Sequence, residues 1–262
     1  MEDTSPLMQQ QVAIISDIHG NLPALVAVLG EVRAYGIRDV VCLGDIVGYG
    51  PEPGACLDLV MQHCRSTVQG NHDRAAVEPP AAALFNGYAR QAIDWTRETL
   101  LPRHVELLQL LPQTAMIGDV ALCVHASPGV NRNEYIHDQR MASRAFQNFH
   151  QQACLIGHTH VPIVFEAPSE RMQDTYAPAD IAVYQLGDGQ GVRLKDDKRY
   201  ICNPGAVGQP RDHDPRASFG ILDVAQSIFS VHRVEYDVHE AQRAANQAGL
   251  PRILADRLAI GA

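Results

Sequence analysis

Val40-Val41-Cys42-Leu43-Gly44-Asp45-Ile46-Val47-Gly48-Tyr49-Gly50 is the stretch that decides the fold. The apolar run from Val40 to Leu43 is short and fits a buried strand. It stops at Gly44, a lone carboxylate follows at Asp45, and a glycine-rich turn comes next. Open α/β sheets bind ligands beyond the carboxyl ends of their strands, so Asp45 stands where chemistry is usually done. Alone, the stretch reads equally well as an aspartate capping a turn, because Asp and Gly are ordinary turn residues. The pattern recurs, however. Four other apolar runs end in Asp, His or Asn, and Asp45 makes best sense as the group on which they converge.

Working outward, Val12 to Ile15 is a strand ending in Ser16-Asp17-Ile18-His19-Gly20-Asn21. Asn21 is placed to cap a helix that tolerates Pro23 in its first turn. Leu22, Leu25, Val26, Leu29 and Val32 carry its helical spacing, and Gly36 is its stop. A strand over 37–43 leads to Asp45, and Pro53 opens a second helix. A strand over 65–69 ends in Gly70-Asn71-His72-Asp73. Strands and helices alternating in this way predict an α/β layered fold. Residues 84–111 read as helical with a break at Pro102. A hairpin follows over 113–117 and 120–125, turned at Gly118-Asp119 and ending at His125. Residues 126–138 read as loop and 139–149 as helix. A strand over 153–156 ends in Gly157-His158-Thr159-His160. The polar stretch 167–200, with Gly187-Asp188-Gly189 and Gly191, suggests an added hairpin. A strand over 199–202 enters the loop from Asn203 to Asp212. Strands near 218–223 and 228–236 and helices near 239–248 and after Pro251 finish the chain. Residues 1–11 are expected to be a flexible polar segment, and 12–262 a single domain with a helical cap at about 84–111 and an irregular insertion at about 167–200.

A chain of 262 residues can bury a core without disulfides. Its six cysteines show no CxxC spacing, and four lie in or beside apolar runs, so buried free thiols and a reducing cytoplasm are expected. Residues 1–11 lack the apolar run of a signal peptide, and no segment approaches a membrane-spanning length. The formal charge of −9 argues against a surface that coats nucleic acid. A nucleotide substrate remains compatible with it, because bound metal reverses the local sign.

Asp17 and His19 stand two apart, and on an extended strand end such residues point the same way. A carboxylate and an imidazole could then grip one cation; His158 and His160 repeat the spacing with two imidazoles. Each pair alone reads more readily as surface or hydrogen-bonded structure than as a ligand pair, and His125 alone as a satisfied structural histidine. Taken together, two carboxylates (Asp17, Asp45), an amide (Asn71) and four imidazoles (His19, His125, His158, His160) follow apolar runs. Gathering them without a counter-charge is costly. A mixed oxygen and nitrogen set with no thiolate suits a hydrolytic first-row metal site better than structural zinc.

The ordered series Asp17-Ile18-His19, Gly44-Asp45, Gly70-Asn71-His72-Asp73, His125 and Gly157-His158-Thr159-His160 resembles the calcineurin-like metallophosphoesterases, from Asp17 to about Asp212. That resemblance implies a four-layer α/β/β/α sandwich of two mixed sheets with two divalent metal ions at one edge. By position, Asp17, His19 and His160 would hold one metal, Asn71, His125 and His158 the other, and Asp45 would bridge both. The family implies hydrolysis of phosphate esters or anhydrides by a metal-bound hydroxide, with His72 protonating the leaving oxygen as general acid. The ligand set tolerates manganese, iron, nickel, cobalt or zinc. In the serine/threonine phosphatase branch the glycine-aspartate motif continues to a second aspartate, which orients the catalytic histidine, and then an arginine. Here those places hold Gly48 and Tyr49. The series is closer to small stand-alone bacterial phosphoesterases, among them phosphodiesterases and diadenosine-tetraphosphatase-like hydrolases. A small phosphodiester, phosphomonoester or dinucleoside polyphosphate is therefore the expected substrate, with no membrane and no stable nucleic-acid partner. A nuclease-type phosphodiesterase and a non-catalytic binding scaffold are the alternatives. Arg211 could clamp an anionic substrate from the loop after Asn203, or brace that loop through Asp212 or Asp214. Tyr49 could stack on a base or bond a phosphate, or simply pack.

Overall fold

Each of the long strands alternates its apolar side chains between two buried faces, and this sorts the molecule into layers. The computed structural model describes residues 11–169 and 176–262. The expected flexible segment therefore lies outside the described residues except for Gln11, as do residues 170–175 of the expected insertion. The elements in chain order are β1 (Gln11–Ile15), α1 (Leu22–Ala34), β2 (Asp39–Cys42), α2 (Pro53–His63), β3 (Ser66–Thr67), α3 (Asn71–Val77), α4 (Gly87–Thr99), α5 (Pro102–Leu110), β4 (Thr114–Ile117), β5 (Ala121–Val124), α6 (Gln139–Ala145), β6 (Ala153–Leu155), β7 (Pro162–Pro168), β8 (Ala182–Gln185), β9 (Gly191–Arg193), β10 (Lys198–Pro204), β11 (Ala217–Asp223), β12 (Ile228–Val234), α7 (Val238–Gln247) and α8 (Arg252–Asp256).

The strands form two six-stranded sheets, one in the order β3-β2-β1-β11-β12-β9 and the other β4-β5-β6-β10-β7-β8. Both are mixed. In the first, β1, β2 and β3 run parallel and the rest antiparallel. In the second, β5, β6 and β10 run parallel, flanked by antiparallel partners. Ala13, Ile15, Val40, Cys42 and Phe219 face the core shared with α1 and α2. From the same sheet Val12, Ile14, Val41, Leu43 and Phe229 meet Cys123, Leu155, Val164, Tyr200 and Cys202 between the sheets. Cys154, Ile156, Phe165 and Ile201 turn outward under α6. Helices, sheet, sheet, helix: the four-layer α/β/β/α sandwich is the observed architecture.

Local signals hold where they were strongest. The Asn21 side chain accepts the Ala24 N–H at 3.2 Å as the cap of α1, and Gly36 ends that helix at φ +75°. The helical stretch at 84–111 divides at Leu100–Leu101, before Pro102, and its first residues are not α-helical. Two expectations fail. Residues 182–193 are not a hairpin, because β8 pairs with β7 in one sheet while β9 pairs with β12 in the other. Gly187-Asp188-Gly189 thus carries the chain between sheets. The interior strand β7 went unread because prolines stand at both its ends, where they oppose the terminal residues of β10. Proline ordinarily argues against a central strand, yet at a strand end it removes no needed ladder bond.

Candidate metal centre

The three parallel strands of each sheet end on the same rim. β1 leads to Asp17 and His19, β2 to Asp45, β3 to Asn71 and His72, β5 to His125, and β6 to His158 and His160. Backbone bonds lace these loops beyond the ladders. The N–H groups of Asp17 and His19 donate to the carbonyls of Gly44 and Asp45 at 3.0 and 2.9 Å. Those of Val207 and Gly208, after β10, donate to Ser16 and Asp17 at 2.9 Å each, so the second sheet is stitched to the first.

The reason the paired residues converge differs from the strand-end expectation. β1 stops at Ile15, and Asp17, His19, Asp45, His158 and His160 all adopt left-handed backbone, at φ 54°, 51°, 53°, 67° and 61°. Such backbone costs a non-glycine residue about 1 kcal/mol or more and clusters where function holds it in place. The i and i+2 side chains meet because the loop coils, not because it is extended.

Asp17, His19 and His160 bring one ligand atom each within 4.8 Å of one another, and so do Asp45, His125 and His158. His19 Nε2 lies 3.2 Å from His160 Nε2 and 3.6 Å from the Asp45 carboxylate; His160 Nε2 lies 3.2 Å from Asp17. His125 Nε2 lies 3.2 Å from Asp45 and 3.1 Å from Asn71 Oδ1. Asp45 therefore reaches both groups. His72 also comes within this range of His19 and Asp45.

The donor chemistry fits a divalent cation. His19 Nδ1 meets the Val47 carbonyl at 3.1 Å, His125 Nδ1 that of Leu43 at 2.8 Å, and His160 Nδ1 that of Gln209 at 2.5 Å. A carbonyl only accepts, so each Nδ1 carries the proton and, in the neutral ring, each Nε2 turns a lone pair inward. Between His19 and His160 two lone pairs then face each other with no hydrogen to share. His158 Nε2 is buried without a hydrogen-bond partner among the described residues. Buried atoms in this state call for a positive charge. The electrostatics agree. Burial raises the carboxyl of Asp17, but the His160 imidazole outweighs it and holds the group well below the carboxylate range. Burial likewise opposes ionisation of Asp45, and His125 with His72 overcomes it. Burial would strip His125 of its proton, yet Asp45 lifts its pKa to about 10.

Two residues that position the site went unassigned from sequence. Asp73 accepts four backbone N–H groups, from Asp45 (2.8 Å), Ile46 (2.9 Å), Val47 (3.2 Å) and Gly70 (2.9 Å). It ties the loop carrying Asp45 to the helix carrying Asn71, and its place in Gly70-Asn71-His72-Asp73 was the available signal. Burial and the Asp45 carboxylate raise its pKa to about 7, against the pull of those donors. Phe85 is the other. Its ring centroid stands 4.5 Å from that of His72, and Tyr49 stands 4.5 Å from the same ring. His72 Nδ1 is buried and unpartnered, and a Cβ at Gly48 would sit 2.4 Å from it. A side chain at position 48 would meet the His72 ring, and the rings of Tyr49 and Phe85 flank that ring instead of a carboxylate.

Arg211 lies in the site. Its guanidinium is 5.8 Å from the Tyr49 ring centre, one Nη donates to Gln209 Oε1 at 2.8 Å, and its Nε is buried without a partner. It braces neither aspartate, because Asp212 pairs with Arg233 and Asp214 with Arg216. Asn203 bonds the Gly157 carbonyl at 2.6 Å and the Thr159 hydroxyl at 3.0 Å, a loop-binding role. Tyr135, in the loop after β5, stacks on His158 at 3.9 Å.

Two mixed sheets closed face to face, with oxygen and nitrogen ligands gathered on their common rim, define a class of metal-dependent phosphoester hydrolase. The chain belongs to the calcineurin-like phosphoesterase superfamily, whose domain profile matches residues 11–227. A metallophosphoesterase structure from Sphaerobacter thermophilus aligns at TM-score 0.83 and 41% identity, over 96% of this chain and 99% of that one. A hypothetical protein of Pyrococcus horikoshii shares the fold at TM-score 0.72 and 20% identity, over 96% and 98% of the two chains. An uncharacterized protein of Methanocaldococcus jannaschii is 33% identical over 260 residues, 97% of this chain and all of that one. Among the described residues no helix is long and apolar enough to cross a membrane.

Proposed function

We propose that the chain hydrolyses small phosphodiesters or dinucleoside polyphosphates at a centre of two divalent cations. Asp17, His19 and His160 hold one ion, Asn71, His125 and His158 the other, and Asp45 both. The observation that carries this reading is the pinning of three imidazoles by carbonyls through Nδ1, which aims their Nε2 atoms at two buried carboxylates. Bound there, the ions supply Lewis-acid charge to the phosphoryl oxygens and lower the pKa of water. The mixed ligand set accommodates manganese, iron, nickel, cobalt or zinc. Six free cysteines, five of them buried, support a reducing cytoplasmic setting.

His72 acts as general acid through Nε2, since Nδ1 faces Gly48. Burial pushes its pKa down to about 4, although Asp45 pulls the other way, which makes a protonated His72 a strong acid toward a leaving oxygen. Arg211, with an unpartnered buried Nε, bonds a phosphoryl oxygen, and Tyr49 holds both Arg211 and His72 in place.

The test is elemental analysis of the purified protein, followed by stripping and refilling with manganese. The refilled protein would meet bis-p-nitrophenyl phosphate, p-nitrophenyl phosphate and diadenosine tetraphosphate. Two metals per chain and metal-dependent turnover of the diester or the dinucleotide are expected. A chain that takes up no divalent metal would overturn the reading.

A further inference from the structure

Beside the Asn71 and His125 half of the centre a small open recess runs away from the rim. Its floor is shared with the centre, because Asn71 and His125 both line it. The chain carries 30 acidic residues against 21 lysines and arginines, yet none of the side chains lining this recess is acidic. Two are arginines, Arg74 and Arg132. Arg132, Gln113 and Asn133 make no ion pair or side-chain hydrogen bond among the described residues. Arg74 commits only its Nε, to Glu78 at 2.7 Å, which leaves its terminal nitrogens free to turn inward. A concave surface of unspent donors, free of carboxylates in an acidic protein, selects an anion.

His72, Tyr49 and Phe85 do not line the recess. In hydrolysis, water oxygen bonds to phosphorus, the bond to the leaving oxygen breaks, and that oxygen takes a proton. If His72 gives that proton, the group lying in the recess is the arm that stays on phosphorus. We propose that the recess bounded by Arg74, Gln113, Arg132 and Asn133 is a subsite for a second phosphoryl group, carried on the non-leaving arm of the substrate. The inference rests on the hydrolase reading above and narrows it toward phosphoanhydride substrates over simple diesters.

The experiment compares wild type with the double variant Arg74→Ala, Arg132→Ala, both refilled with manganese, on two substrates. Diadenosine tetraphosphate has further phosphoryl groups on its arm, and bis-p-nitrophenyl phosphate has none. Each arginine is worth about 10- to 100-fold as a charge-assisted hydrogen bond. The loss in kcat/KM is therefore expected to be at least about tenfold greater for the tetraphosphate than for the diester. Equal losses, or none, would remove the subsite and leave the hydrolase reading standing. If wild type hydrolysed neither substrate, the hydrolase reading would fall, and calorimetric binding of ADP to the metal-stripped protein would decide the recess alone. Binding that is lost in the double variant supports an anion subsite, and binding that is absent or unchanged overturns it.

Discussion

The two halves of the centre are built differently. Asp17, His19 and His160 are at most 2% exposed, all three lie on left-handed backbone, and both imidazoles are pinned through Nδ1. The other half is looser. Asn71 is half-buried at the start of α3, His158 has an unpartnered Nε2, and its outer face is covered by Tyr135, which is itself 48% exposed. The first half is fixed by loops from both sheets before anything binds, as pre-organised ligands should be. The second faces the recess, the way in for substrate on the proposed reading.

Removing the one residue common to both halves has the largest expected effect. Asp45→Ala should weaken both metals, and with a metal's contribution of several kcal/mol lost, turnover should fall by about 10³-fold or more. Metal titration followed by calorimetry checks this. If two metals still bound with wild-type affinity, Asp45 would bridge nothing, and the two halves would be independent sites.

A smaller change sharpens the contrast. Asp73 joins the Asp45 loop to the helix that begins with Asn71. In Asp73→Asn an amide NH₂ faces backbone N–H groups that need an acceptor. That should cost about 1–3 kcal/mol of stability, read as a lower Tm. Outer-shell partners are worth about 10–100-fold in metal affinity, and the loss should fall mainly on the metal held by Asn71, His125 and His158. Equal weakening of both metals would show that the Asp17 half leans on the same anchor.

The residues that gather on the rim were legible in the sequence because each stands just after an apolar run, and a strand end is a local signal. The layer order was legible only through resemblance, since alternating strands and helices fit several α/β folds. Three things lay out of reach for physical reasons. The crossing from β8 to β9 was hidden because glycine-rich turns mark a change of direction without naming the partner strand. Asp73 reads locally as the first turn of a helix, and three of its four partners lie 26–28 residues away in the chain. The left-handed backbone at Asp17, His19, Asp45, His158 and His160 breaks the local rule that non-glycine residues avoid it. Local rules fail where a site is held in strain by its surroundings.

The mildest prediction concerns the ring of His72, which stands beside His19 and Asp45 but is not in the proposed ligand set. His72 has no carboxylate behind Nδ1, and its ring is kept in place by Tyr49 and Phe85. Tyr49 also touches His19 and Arg211, so its removal would mix effects. Phe85 is the cleaner probe, half-buried on the connection before α4. An aromatic contact is worth about 0.5–1.5 kcal/mol, so Phe85→Ala should lower kcat by roughly 2- to 10-fold. The loss should depend on the leaving group. Esters of alkyl alcohols need a proton on the leaving oxygen and should show it, whereas p-nitrophenyl esters should barely change. His72→Ala should show the same dependence at about 10²–10⁴-fold, and Phe85→Tyr should restore the alkyl rate. If Phe85→Ala slowed both ester classes alike while His72→Ala kept its leaving-group dependence, Phe85 would be packing alone. The orientation of His72 would then come from its backbone, whose N–H donates to Asp45 Oδ1 at 2.8 Å, and so from the metal centre itself.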